Sequence, residues 1–330
     1  MRASALLVES WGCMESRTVE VPEPRAAEVI VEVKYSGVGF ADVMAVRGGY
    51  PLAPRRPFSP GYEFLGTVAA VGPEVRTVSV GERVAGMLPS LGAYRGVLCL
   101  DARWAVPVPA EVPDETAAVL TLNSLTAWAL LTKAASPSRG QSVLIHGAAG
   151  GVGTALLELA RGLGVKVYGT ASGPRLETVR ALGGVPLERR GDWLHRLREL
   201  EPGGVDAAFD AFGGSSLEAC WKALGPEGTL VSYGFSPSID GGLGPMVRGL
   251  LSLGAKKVLG GRRRATVCGV PGLIRREPTW YREALAHLFS LAARGELRPR
   301  LHAVFPWKEA AEAHVLLAQG QVNGKLVLRW

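Results

Sequence analysis

Ser142-Val-Leu-Ile-His-Gly-Ala-Ala-Gly-Gly-Val-Gly-Thr154, continuing as Ala155-Leu-Leu-Glu-Leu-Ala-Arg-Gly-Leu-Gly164, decides the fold. The run Val143-Leu144-Ile145 is short, apolar and rich in β-branched residues, which predicts a buried parallel strand. Gly147, Gly150, Gly151 and Gly153 then leave the amides of a turn uncovered, and Leu156, Leu159 and Ala160 follow at helical spacing. A strand, a glycine turn and a helix N-terminus gather N–H donors and a positive dipole end around one point, where a pyrophosphate binds. The match to G-x-G-x-x-G is imperfect, because Ala148 stands in the place of the first glycine. Taken alone, the stretch reads equally as a tight strand-to-helix turn without a ligand.

The rest of the chain narrows the choice. Its 330 residues allow about two domains. With 47% hydrophobic and 20% charged residues it has the composition of a globular protein with a sizeable core. Met1 to Val8 is too short an apolar run for a signal peptide, and no stretch reaches the ~18 apolar residues of a membrane helix. The expectation is therefore a cytoplasmic protein without a membrane partner. Cys13, Cys99, Cys220 and Cys268 lie far apart with no C-x-x-C, and are expected as reduced thiols. The net charge of +7 is spread along the chain without a nucleic-acid motif. It fits an anionic cofactor and an anionic substrate or acidic acyl carrier, and no nucleic acid.

Short strands are expected over 1–21, 28–33, 66–71, 83–87 and 96–100, split by proline and glycine turns, with a loop-rich region over 37–61. That pattern predicts a β-rich, barrel-like domain ahead of the nucleotide unit. Within the nucleotide unit, Val165 to Ser172 reads as the second strand. An NAD enzyme places Asp or Glu at its end, ~20 residues past the glycines. Here the end reads Thr170-Ala-Ser-Gly-Pro-Arg175. Ser172 and Arg175 suit a 2′-phosphate, which predicts NADPH. Arg189 reads either as a further phosphate contact or as a solvated charge. The strands ending at Phe212-Gly213 and at Tyr233-Gly234-Phe235 bring those residues to the cofactor crevice of a doubly wound sheet. Ala265 to Val270 is expected as its last strand, and 241–261 as a loop and helix beside the substrate. Arg262-Arg-Arg264 reads as a solvated turn or as an anchor for a carrier phosphate.

Gly37-Val-Gly-Phe-Ala-Asp-Val-Met44, Arg47-Gly-Gly-Tyr-Pro51, Pro60-Gly-Tyr-Glu63, Leu125-Thr-Ala127, Ala148-Ala-Gly-Gly-Val-Gly153 and Gly324-Lys-Leu-Val-Leu328 together resemble the medium-chain dehydrogenase/reductases, in their quinone oxidoreductase and enoyl reductase branch. The resemblance covers nearly the whole chain. It implies an α/β protein: a catalytic GroES-like barrel domain from 1–122 and 273–330, and a doubly wound Rossmann domain over 123–272, assembled as a homodimer. It places the cofactor on Ala149, Gly150, Gly151, Val152 and Gly153, on Thr126, and on a C-terminal loop with Asn323 and Lys325; Lys325 reads alternatively as an exposed strand-edge charge. The positions matching the family's catalytic zinc ligands are Gly39, Tyr62 and Leu122, none of which ligates as Cys or His would. No metal is therefore expected. The implied activity is NADPH-dependent reduction of an activated double bond in an enone, quinone or enoyl thioester, with Tyr50 or Tyr62 as proton donor. The alternatives are a quinone reductase needing no protein acid, and a catalytically silent NADPH-binding protein.

Overall fold

The computed structural model describes residues 1–234 and 244–330, apart from the side chain of Pro245. The chain forms two compact units, Met1–Leu125 with Pro271–Trp330, and Thr126–Val270.

The first segment of unit 1 contributes β1 (Arg2–Leu7) and β2 (Glu15–Glu20), which pair antiparallel. After these come β3 (Glu28–Val38), α1 (Phe40–Val46), β4 (Glu63–Val71), β5 (Arg83–Met87), β6 (Val97–Asp101), β7 (Val106–Pro107) and α2 (Asp114–Ala129). The long β3 is mostly buried, and its register against β4 shifts between Ile30 and Val31 and again between Val33 and Tyr35. Such bulges bend a strand, as a closing sheet requires. Helix α1 interrupts the loop-rich region expected over 37–61. Gly39 caps it in an extended conformation, and the carboxylate of Asp42, at the third helical position, accepts the Gly39 amide at 2.7 Å. The acid followed by Val43-Met-Ala-Val46 was a helix-start signal hidden among glycines. Helix α2 begins at Asp114, because Pro113 and the acidic pair Asp114–Glu115 suit a helix N-terminus.

Unit 2 holds β8 (Ser142–His146), α3 (Gly151–Gly162), β9 (Lys166–Ala171), α4 (Arg175–Ala181), β10 (Val185–Glu188), α5 (Trp193–Leu200), β11 (Val205–Asp210), α6 (Ser215–Ala223), β12 (Leu224–Ser232), α7 (Gly244–Leu259) and β13 (Arg264–Val267). Its strands run parallel in the order β10-β9-β8-β11-β12-β13. The chain leaves β8 toward one edge and returns at β11 toward the other. This reversal is the switch point of a doubly wound sheet, where ligands bind. Every residue of β8 is buried. Leu144, Tyr168, Leu197, Ala208, Leu217 and Leu230 share the core on one side of the sheet. The last strand is shorter than expected, because Val270 already begins α8 (Val270–Arg276).

The chain then returns to unit 1 through α9 (Pro278–Ala293), β14 (Leu301–Pro306), α10 (Ala310–Ala318) and β15 (Lys325–Arg329). The apolar face of α9 is buried through Tyr281, Leu285, Leu288 and Phe289, as its spacing predicts. The Tyr281 hydroxyl accepts the Met87 amide at 2.8 Å and donates to the Trp104 carbonyl at 2.9 Å. The sheet order is β14-β15-β3-β4-β5-β7, with β6 also on β3. Among the described residues, no helix is long and apolar enough to cross a membrane.

Candidate active site

In unit 1 the chemistry-bearing side chains gather where α1, the start of β4 and β15 meet. Tyr62 is 2% exposed. Its hydroxyl lies 2.9 Å from the Tyr50 hydroxyl, with the two rings edge to face at 6.2 Å. Asp42 is fully buried, and its two oxygens accept the amides of Gly39 at 2.7 Å and Gly61 at 3.1 Å. It thereby ties the start of α1 to the residue before Tyr62. A side chain at Gly39 would begin 3.2 Å from Leu122. The structure thus gathers positions 39, 62 and 122, which carry no side chain, a phenol and an isobutyl group. Among the described residues, no group of three or more His, Cys, Asp or Glu side chains is arranged to hold a metal ion.

Beneath the tyrosines, one oxygen of Glu63 accepts the Leu122 amide at 2.8 Å and the other pairs with the ammonium of Lys325. Both side chains are almost wholly buried. Lys325 is therefore not an exposed edge charge, and its ammonium is committed to Glu63. Gly37 makes room for the pair, since a Cβ there would fall 2.1 Å from Glu63. Burial pushes the Asp42 carboxyl up to about 7, against the two amides that favour its anion. Burial also raises Glu63, although Lys325 opposes the shift. Both tyrosines are held above the usual phenol range by burial, and their mutual hydrogen bond separates them. It lowers Tyr50 and raises Tyr62. The Arg275 guanidinium lowers both. Of the C-terminal residues expected near a cofactor, Asn323 donates its backbone amide to His302 at 3.4 Å.

In unit 2 the glycine turn has the form expected of it. Gly147 adopts φ +86° and donates its amide to the Thr170 hydroxyl at 3.0 Å. Ala148 is accommodated because Gly169 stands opposite, where a Cβ would come within 2.6 Å of it. A Cβ on Gly153 would lie 2.6 Å from the carbonyl oxygens of both Gly147 and Ala148, so this glycine lets α3 approach the turn. At Gly150 the nearest such atom is 3.4 Å away. Thr154 donates to Gly150 at 2.8 Å as the first helical bond, so the amides of Gly151, Val152 and Gly153 precede it at the positive end of the helix. That open cradle fits a pyrophosphate. Ala149 lies beside it, and Thr126 is buried in α2.

His146 packs tilted against Trp193 at 5.4 Å and edge to face with Phe212 at 5.3 Å, and bonds the Thr170 hydroxyl at 3.0 Å, a structural placement. Asp210 accepts Gly213 at 2.6 Å and Ser216 at 2.6 Å, which shapes the turn carrying Phe212 and Gly213. Tyr233 donates its amide to the Asp210 carbonyl at 3.0 Å, next to Gly234; Phe235 lies outside the described residues.

At the end of β9, Ser172 accepts from Arg189 at 3.4 Å, and the Arg189 guanidinium lies 5.4 Å from the Phe212 ring centre. Arg189 is half-buried, not a solvated charge. Arg175 begins α4 beside Ser172. The strand itself carries no acid, but Glu188 reaches its end from β10. The Glu188 carboxylate accepts the Gly173 amide at 3.1 Å and the Arg190 amide at 3.2 Å. Sequence reasoning missed this residue, and it missed the roles of Asp42 and Glu63. The signal for the latter two was an acid set inside an apolar run.

Family models for an alcohol dehydrogenase GroES-like domain and for a zinc-binding dehydrogenase match residues 25–110 and 185–328. The synaptic vesicle membrane protein VAT-1 homolog of Rattus norvegicus is 32% identical over 325 residues, covering 96% of this chain and 80% of its own. A mycocerosic acid synthase-like polyketide synthase of Mycobacterium tuberculosis is 32% identical over 92% of this chain, within 14% of its own length. Escherichia coli quinone oxidoreductase, solved in complex with NADPH, superposes with a TM-score of 0.88 at 29% identity over 99% of this chain and 100% of that one.

Proposed function

We propose, for a chain that belongs to the medium-chain dehydrogenase/reductase family in its quinone oxidoreductase and enoyl reductase branch, an NADPH-dependent, zinc-independent reduction of activated carbon–carbon double bonds. The observation that supports the activity is the Tyr50–Tyr62 hydroxyl pair, in which Tyr62 stands at a position matching one of the family's catalytic zinc ligands. The substrate would be an enone, a quinone or an enoyl thioester, free or on an acidic carrier, and the working unit a homodimer.

Gly150, Gly151, Val152 and Gly153, with Ala149, would hold the pyrophosphate; Ser172, Arg175 and Arg189 would hold the 2′-phosphate. Thr126, Phe212, Gly213, Tyr233, Gly234 and Asn323 would complete the cofactor contacts. NADPH, when bound, supplies a hydride to the β carbon of the substrate. The protein's task is then to return a proton to the α carbon. Tyr62 is the more buried phenol, so negative charge is least tolerated there. Tyr50 is therefore the phenol that would give up its proton to the substrate, with Tyr62 donating to the Tyr50 oxygen as it does so. Once Tyr50 has given that proton up, the Tyr62 hydroxyl and Arg275 stabilise the phenolate.

Steady-state assays with NADPH on enoyl thioesters, alkenals and quinones test this activity. Tyr50→Phe should slow enoyl reduction by about 10²-fold or more while NADPH affinity holds. Quinone reduction should suffer far less, because water protonates a hydroquinone anion. Equal loss on both substrates would assign Tyr50 to binding or packing. NADPH binding without turnover on any substrate would leave a silent binding protein. Activity should survive a chelator; its loss and restoration by zinc would overturn zinc independence.

A further inference from the structure

We infer that Glu188 is an internal anion that competes with the 2′-phosphate of the cofactor for the donors at the end of β9, and so sets how strongly the protein prefers NADPH over NADH. This rests on the phosphate reading of Ser172, Arg175 and Arg189 given above. Parallel register brings Glu188 of β10 opposite Ala171, the last residue of β9. From there its carboxylate accepts the Gly173 and Arg190 amides at 3.1 and 3.2 Å, and it also bonds the Ser172 hydroxyl. These are donors of the kind a phosphate needs, and a carboxylate already engages them. The surrounding charge is otherwise positive. Arg175 and Arg190 bear on Arg189 with like charge, and Glu188 offsets them. Those backbone bonds hold the Glu188 carboxyl below its ordinary range, so it is ionised at neutral pH.

A 2′-phosphate arriving at Ser172 and Arg189 must displace this carboxylate or sit beside it. A cofactor with a free 2′-hydroxyl meets no such competitor and can donate to Glu188. The margin for NADPH supplied by Arg175 and Arg189 is thereby narrowed.

The test uses the full chain and two probes of the adenosine end, 2′,5′-ADP and 5′-AMP, titrated by calorimetry. Glu188→Gln should tighten 2′,5′-ADP by about 2- to 5-fold, the scale of one exposed charge interaction, and should not tighten 5′-AMP, which loses a charged acceptor for its 2′-hydroxyl. The gain should shrink as salt is raised. No tightening, or equal tightening of both probes, overturns the inference. Arg175→Ala, titrated alongside, should weaken 2′,5′-ADP. If it does so while Glu188→Gln changes nothing, the role of Glu188 fails and the phosphate site stands. If Arg175→Ala also changes nothing, the phosphate site fails and Glu188 with it.

Discussion

At the scale of single residues, Lys325 and Glu63 show what a buried charge demands. Their side chains are 2% and 1% exposed. Lys325→Met would leave a buried carboxylate with the Leu122 amide but without its cation. Removing one partner of such a pair costs about 3–5 kcal/mol. Lys325→Met should lower the denaturation free energy by that amount, and Lys325→Met with Glu63→Gln should recover most of it. Chemical denaturation of the two variants measures both; a double variant as weak as the single one would show that the ammonium matters through packing. The pair spans β4 and β15, elements separated by nearly the whole chain, and no local pattern connects them. For that reason Lys325 reads from the sequence as a loop or edge residue. Glu188 is hidden by the same rule, since its position depends on the register of β10 against β9.

At the scale of elements, the β8–α3–β9 unit was the most legible part of the chain. Its determinants are local: an apolar strand, a turn of glycines and an amphipathic helix. Ser172 and Arg175 fall at the end of β9 and the start of α4, as the local pattern predicts. Helix α1 was not legible, because glycines on both sides mask a seven-residue helix whose cap comes from its own Asp42. Two glycines of the cradle separate architecture from binding. Gly153→Ala forces a methyl against two carbonyl oxygens, and overpacking of this kind costs about 1–3 kcal/mol. Its melting temperature should fall. Gly150→Ala meets no atom closer than 3.4 Å within the protein, so its melting temperature should hold while NADPH binding weakens. Thermal melts beside nucleotide titrations would distinguish the two, and identical behaviour of both variants would contradict the cradle.

At the scale of the whole molecule, unit 1 is built from two stretches of chain with all of unit 2 between them. Strand β15 lies inside its sheet, between β14 and β3, with Leu326, Val327 and Leu328 buried. Deleting residues 325–330 should therefore expose two strand edges and strand Glu63 without a cation. Limited proteolysis should then degrade unit 1 while a fragment spanning 126–270 persists; uniform resistance of the shortened chain would show that β15 is dispensable. The same placement bears on how the protein is made. A ribosome adding roughly 5–20 residues each second delivers β3 long before β15. The newborn chain thus carries an unpaired β3 flank for roughly 15–60 seconds, while the later-born nucleotide unit already has every strand it needs. Nascent-chain quality control would meet this protein as a finished middle attached to an unfinished beginning.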